Sequence, residues 1–98
     1  MQRASGELNK LLADLLRRAP AGEAPLLAWP VVCGSGVAAR TRALSFSERV
    51  LRVEVPDRTW RAQLADLVAR YLAAMNSVVP EPVEKIIFVL PENVREQR

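Results

Sequence analysis

The chain has 98 residues, with fourteen basic and eleven acidic side chains, one cysteine and no histidine. That length suits one domain, residues 1–98, with a single core that needs no disulfide or structural metal. Without histidine there is no Ser–His or Cys–His nucleophile pair and no imidazole zinc site, and the lone Cys33 excludes an internal disulfide and a CxxC redox pair.

Leu8, Leu11, Leu12, Leu15 and Leu16 recur at i, i+3, i+4, i+7 and i+8, which predicts a first amphipathic helix. Ser5 is the expected N-cap, and Arg17 and Arg18 sit well at the negative end of the helix dipole, with Asp14 in reach of either. The proline- and glycine-bearing residues 19–25 break the pattern. A second helix is expected from Pro25 to about Ala39, kinked or divided at Pro30, with Trp29, Val32 and Val37 on its apolar side.

The period then changes from helical to alternating. Ala43–Ser47 and Val50–Val55 read as two antiparallel strands around a Ser47-Glu48-Arg49 turn. Leu51, Val53 and Val55 face one side and Arg52 and Glu54 the other, with Leu44 and Phe46 as the expected core partners on the first strand. Asp57 caps a long helix reaching about Asn76, whose stripe is Trp60, Leu64, Leu67, Val68, Tyr71, Leu72 and Met75. Asp57–Arg61 and Asp66–Arg70 are spaced for i,i+4 ion pairs on its outer side. Ser77–Pro82 is a loop, and Val83–Leu90 a third strand whose Ile86-Ile87-Phe88-Val89 run suggests burial on both faces or an inner position in the sheet. Residues 1–4 and 91–98 are expected to fray. The order α-α-β-β-α-β predicts an α+β fold, a three-stranded mixed sheet with helices on one face and the other face open, and a right-handed crossover into the last strand.

The positive charge is local. Arg40, Arg42, Arg49, Arg52, Arg58 and Arg61 lie among three acids between residues 40 and 61, a surplus of three that equals the net charge of the whole chain. No apolar run resembles a signal peptide or a membrane span, and the single cysteine fits a reducing compartment, so a cytoplasmic protein is expected.

One stretch resembles a known family. Trp29-Pro-Val-Val32-Cys33-Gly34-Ser-Gly-Val37-Ala38 is similar to the Trp-x-x-(Ile/Val)-Val-Gly-x-x-(Ile/Leu)-Ala signature of the bacterial DciA-like domain. The resemblance continues through Thr41-Arg42, the hairpin Leu51-Arg-Val53-Glu-Val55, Trp60 with Leu64, Leu72 with Asn76, and Val83-Glu-Lys-Ile86-Ile-Phe88. It implies a KH-like fold that binds DNA and helps load the replicative DnaB-type helicase. The sequence departs from the pattern at Arg40 (often histidine), Ala43 (often proline), Arg49 (often glycine) and Pro30. Members of the family also often extend beyond the domain, whereas this chain stops at Arg98, so a loader role reduced or lost is the expectation.

The candidate DNA contacts are Arg40, Arg42, Arg49, Arg52 and Arg58, clustered around the hairpin, and the expected partners are single-stranded or tailed DNA and the replicative helicase. The competing explanation is a solvated basic surface. Trp29, Trp60 and Tyr71 read as core rather than base-stacking platforms, and Cys33 as a packed small hydrophobe. Gly34-Ser-Gly36 does not match the Gly-x-x-Gly clamp of KH domains and reads as a helix break or a close helix contact. No catalytic constellation, metal site, cofactor, membrane contact or small-molecule substrate is expected. Two alternatives stay open: a protein-interaction module that holds no nucleic acid, and a KH-like RNA-binding domain.

Overall fold

The first seventeen residues contain no proline and no β-branched side chain, and helix α1 runs from Gln2 to Arg17. The computed structural model describes residues 2–20 and 22–91, with side chains from Lys10 onward. Ser5 lies inside α1 instead of capping it, because nothing upstream stops the helix. Leu16 is buried and Leu12 packs on the core, while Asp14 pairs with Arg17 as the spacing predicts. Residues 92–98 of the tail expected to fray lie outside the described part.

Helix α2 (Ala24–Val32) continues straight through Pro30. That ring removes one backbone donor, but it sits on the exposed side of the helix, where solvent tolerates the loss. The break comes later, at Gly34, whose φ of 87° is a conformation that side chains resist. A Cβ at Gly34 would meet open space, so backbone conformation and not a close helix contact explains this glycine. The short α3 (Ser35–Ala38) follows.

Strands β1 (Arg42–Ser47) and β2 (Val50–Glu54) form the expected antiparallel hairpin. Its two turn residues, Glu48 and Arg49, both have positive φ, 51° and 65°, as a tight hairpin turn that follows the strand twist requires. Neither residue type favours that region. The register slips between Ala43 and Ser45, so Leu44 is an extra residue in β1. The bulge shifts the alternation: Ala43 and Phe46, opposite Val53 and Leu51, pack on the core, and Leu44 does not take the core position expected of it.

Asp57 starts α4 (Arg58–Ala65), its carboxylate accepting the Trp60 amide at 2.9 Å. The single long helix expected here is two, with α5 (Val68–Asn76) beginning after an Asp66-Leu67 turn. At that turn the Leu67 amide bonds the Leu64 carbonyl three residues back, at 3.0 Å. The apolar stripe survives the interruption: Leu64, Tyr71 and Met75 are buried, and Trp60, Leu67, Val68 and Leu72 pack against them. The Asp57–Arg61 and Asp66–Arg70 pairs are absent among the described residues, since Asp57 is engaged at its cap and Asp66 lies in the turn.

Strand β3 (Lys85–Val89) pairs in parallel with β2, giving the sheet order β1-β2-β3. The inner position expected for β3 therefore belongs to β2, and β3 is an edge whose Ile87 is 38% exposed. Asn76 fixes the start of β3 from the end of α5. Its side-chain amide donates to the Val83 carbonyl at 3.0 Å and its oxygen accepts the Val83 amide at 2.7 Å.

The core is organised around Trp29, which is almost fully buried. Its ring meets Tyr71 edge-on at 5.2 Å and Phe88 at 6.1 Å, joining α2 to α5 and β3. Its indole N–H donates to the Thr41 hydroxyl at 3.0 Å, and that hydroxyl donates to the Val37 carbonyl at 2.8 Å. Helix α2, helix α3 and the first residues of the hairpin are thereby locked to one another.

Thr41→Val should strand the indole donor and lower stability by about 1–3 kcal/mol, while Thr41→Ser stays near wild type in thermal melts. Equal melting of all three proteins would remove this relay from the account. In the hairpin turn, the double change Glu48→Asn and Arg49→Gly should relieve two strained residues and raise stability by about 1 kcal/mol or more. That corresponds to roughly 4–8 °C in Tm per kcal/mol for a domain of this size.

Candidate nucleic-acid interface

The buried face of the sheet carries Ala43–Val53–Phe88 and Phe46–Leu51–Ile86 as rows across its three strands. Alternation sends the remaining residues to the opposite face, where Arg42, Ser47, Lys85 and Ile87 are exposed, Ser45, Val50, Arg52 and Glu54 are half-buried, and Val89 is buried. Its rows are Arg42–Glu54–Val89, Ser45–Arg52–Ile87 and Ser47–Val50–Lys85. Three cations and one acid thus share this face, with Ile87 exposed between Arg52 and Lys85.

The five candidate arginines do not form one cluster. Arg40 and Arg42 stand at the start of β1, where they border a cavity of about 380 Å³ with Glu54 and Pro56. Arg58, the first residue of α4, is exposed just beyond Pro56. Arg49 is at the hairpin turn, the other end of β2, roughly 17 Å away for a five-residue strand. Arg52 lies between the two groups on the open face. A second cavity, of about 340 Å³, is lined there by Arg52, Lys85, Val50, Ile87, Glu48 and Glu84.

Two of the five are held in exposed ion pairs: Arg42 with Glu54 at 3.3 Å and Arg49 with Glu84 at 3.0 Å. Arg40, Arg52 and Arg58 have no acidic partner among the described residues. Arg58 occupies the first turn of its helix, where the dipole disfavours a cation, so helix stability does not account for it. Lys85 escaped the sequence reading. Its place on this face comes from the parallel register that sets Lys85 beside Val50 and Ile87 beside Arg52.

The tryptophans are not platforms on this face. Trp29 is buried and Trp60 packs partly buried against the core, as expected from their helical spacing. Burial pushes the partly buried Cys33 thiol up to about 11, against weaker opposing hydrogen bonds, so the sulfur stays protonated near neutral pH. Among the described residues no three histidine, cysteine or acidic side chains are grouped to hold a metal ion, and no helix is long and apolar enough to cross a membrane.

Compared with known families, residues 6–88 match the family described as "Dna[CI] antecedent, DciA". The chain belongs to the DciA family. No curated protein matches it. The structure gives a physical meaning to several residues of the DciA pattern: Trp29 and Thr41 form the relay that locks the hairpin to the helices, Gly34 turns the chain between α2 and α3, and Asn76 seats β3. These positions are scaffold. The arginines around the hairpin are surface.

The raised thiol pKa makes a test of the local structure at Cys33. At pH 8 alkylation should run about 100-fold slower than for an unperturbed cysteine of pKa 9.0, rise with pH towards about 11, and become ordinary in denaturant. Fast labelling of the folded protein at neutral pH would show a reactive cysteine instead.

Proposed function

We propose that this DciA-family chain binds single-stranded or tailed DNA on the open face of its sheet and assists the replicative helicase. One observation carries the DNA part: the polar face of the sheet, exposed at Lys85 and Ile87, presents Arg42, Arg52 and Lys85, with Arg40, Arg49 and Arg58 at its rim. The family match supports the helicase part, because the DciA family is associated with helicase loading and not with catalysis.

The electrostatics fit a backbone ligand. Exposed ion pairs such as Arg42–Glu54 and Arg49–Glu84 stabilise by only about 0–1 kcal/mol, so a phosphate competes for those guanidinium groups at little cost. Arg40, Arg52, Arg58 and Lys85 need no such exchange. Ile87 and Val50 supply an aliphatic floor between the cations, suited to unstacked bases more than to a duplex.

RNA clamping of the KH kind has less support. That clamp is a Gly-x-x-Gly loop between two helices. Here the α4–α5 turn is Asp66-Leu67 and the α2–α3 break is Cys33-Gly34. An acidic turn without glycine offers a phosphate neither space nor charge.

The test is a fluorescence-anisotropy titration of a labelled single-stranded oligonucleotide at several salt concentrations. With three or four phosphate contacts, the slope of log K against log salt should be about −2 to −3. The triple variant Arg40→Glu, Arg52→Glu and Lys85→Glu should weaken binding at least tenfold with a Tm close to wild type, since Arg40 and Lys85 are exposed and the half-buried Arg52 has no ion-pair partner among the described residues. Absence of binding at low salt would refute the DNA reading.

A further inference from the structure

The cavity at the hairpin-turn end of the sheet holds two carboxylates on a surface otherwise suited to an anion. Its floor is Val50 and Ile87, one from each of the paired strands β2 and β3, and its charged lining is Arg52 and Lys85 against Glu48 and Glu84. At about 340 Å³ it falls at the lower end of small-ligand cavities, roughly 300–1,000 Å³. The two acids cancel the two cations of the lining, so the cavity exerts no net pull on a phosphate. At the other end of β2, Arg40 and Arg42 border the first cavity with Glu54 alone, and Arg58 follows Pro56. A phosphate seated between Glu48 and Glu84 would meet like charge, whereas the opposite end attracts it.

Fold stability does not account for Glu48. It sits at φ 51° in the tight turn, where asparagine or glycine is favoured, and it forms no ion pair among the described residues. Glu84 is held from two sides by Arg49. Its amide donates to the Arg49 carbonyl at 2.8 Å, and its Oε2 accepts from the Arg49 guanidinium at 3.0 Å. The carboxylate of Glu48 and the Oε1 of Glu84 are thus acceptors at the rim of a cavity with an apolar floor.

Acceptors of this kind discriminate among the bases. Guanine alone carries two adjacent donors on its Watson–Crick edge, N1–H and the 2-amino group, which one carboxylate accepts together. Cytosine and adenine each offer one amino group beside an acceptor nitrogen, and thymine offers N3–H between two carbonyls that a carboxylate repels. We infer that this cavity is a base-reading subsite for an unstacked guanine. Glu48 accepts its Watson–Crick edge, and Glu84, positioned by Arg49, is the second acceptor for the 2-amino group. The ring lies over Val50 and Ile87, and the flanking phosphates are left to Arg52 and Lys85. The inference rests on the DNA reading and adds a base preference to it.

The experiment uses the full chain in anisotropy titrations with labelled single strands of about twelve nucleotides, a length that one small domain spans. The strands are all thymine, TTG repeats, and the same repeats with inosine in place of guanine. The wild-type chain should bind the TTG strand at least about fivefold more tightly than the thymine strand. Inosine keeps N1–H and lacks the 2-amino group, so its strand should fall between the two. Glu48→Gln should cut the preference to below about twofold. The same variant should hold the thymine strand more tightly than wild type does, because a negative charge leaves the DNA face; a merely structural role would weaken both strands alike. Glu48 is exposed and has no ion-pair partner among the described residues, so the variant should melt close to wild type. Equal wild-type affinity for the thymine and TTG strands would overturn the inference and leave the DNA reading intact, as would a preference that Glu48→Gln keeps in full. No binding of any strand at low salt would remove the DNA reading and this inference with it.

Discussion

The buried indole of Trp29 is the interaction on which the rest of the domain depends. Its ring has aromatic neighbours on α5 and β3, and its polar edge is satisfied only because Thr41 stands at the entrance to β1. Thr41 in turn is oriented by the Val37 carbonyl at the end of the short α3. A buried N–H without a partner costs about 1–3 kcal/mol, a large part of the 5–15 kcal/mol that holds a small domain folded. The relay thus couples the packing of the core to the position of the hairpin. The basic surface is a consequence of that coupling, since Arg40 and Arg42 flank Thr41 on either side in sequence.

The charge arrangement on the sheet has its own logic. One face of β2 is wholly apolar, with Leu51 and Val53 buried, so every charged residue of that strand goes to the opposite face. Antiparallel pairing brings Arg42 beside Glu54, and parallel pairing brings Lys85 and Ile87 beside Val50 and Arg52. A net charge that is small for the whole chain becomes a local surplus because the sheet collects it. Pairing with Glu54 and Glu84 tempers that surplus, and exposed pairs of this kind exchange partners at little cost.

Much of this was legible in the sequence, and the exceptions have identifiable causes. The helix stripes, the hairpin, the Asp57 cap and the burial of both tryptophans follow from periodicity and capping chemistry, which are local. Pro30 signalled a break that instead falls at Gly34, because a proline on the wet side of a helix loses one hydrogen bond without a clash in the core. The α4–α5 turn was hidden because its apolar positions keep helical spacing across the interruption. The Leu44 bulge, the edge position of β3 and the role of Lys85 depend on strand register and order, which no single segment encodes. Of the proposed site, the arginines were visible as a local charge surplus. Their division between the two ends of β2 and the ion pairs that occupy Arg42 and Arg49 required the sheet.

The central claim is that the open sheet face is where DNA lies. The most direct measurement is an amide chemical-shift titration of the labelled protein with a short single-stranded oligonucleotide. Shifts concentrated in Arg40–Ser47, Val50–Glu54 and Lys85–Val89, with α1 and α2 undisturbed, are the expected result. Shifts confined to the helices, or none at saturating oligonucleotide, would contradict the account.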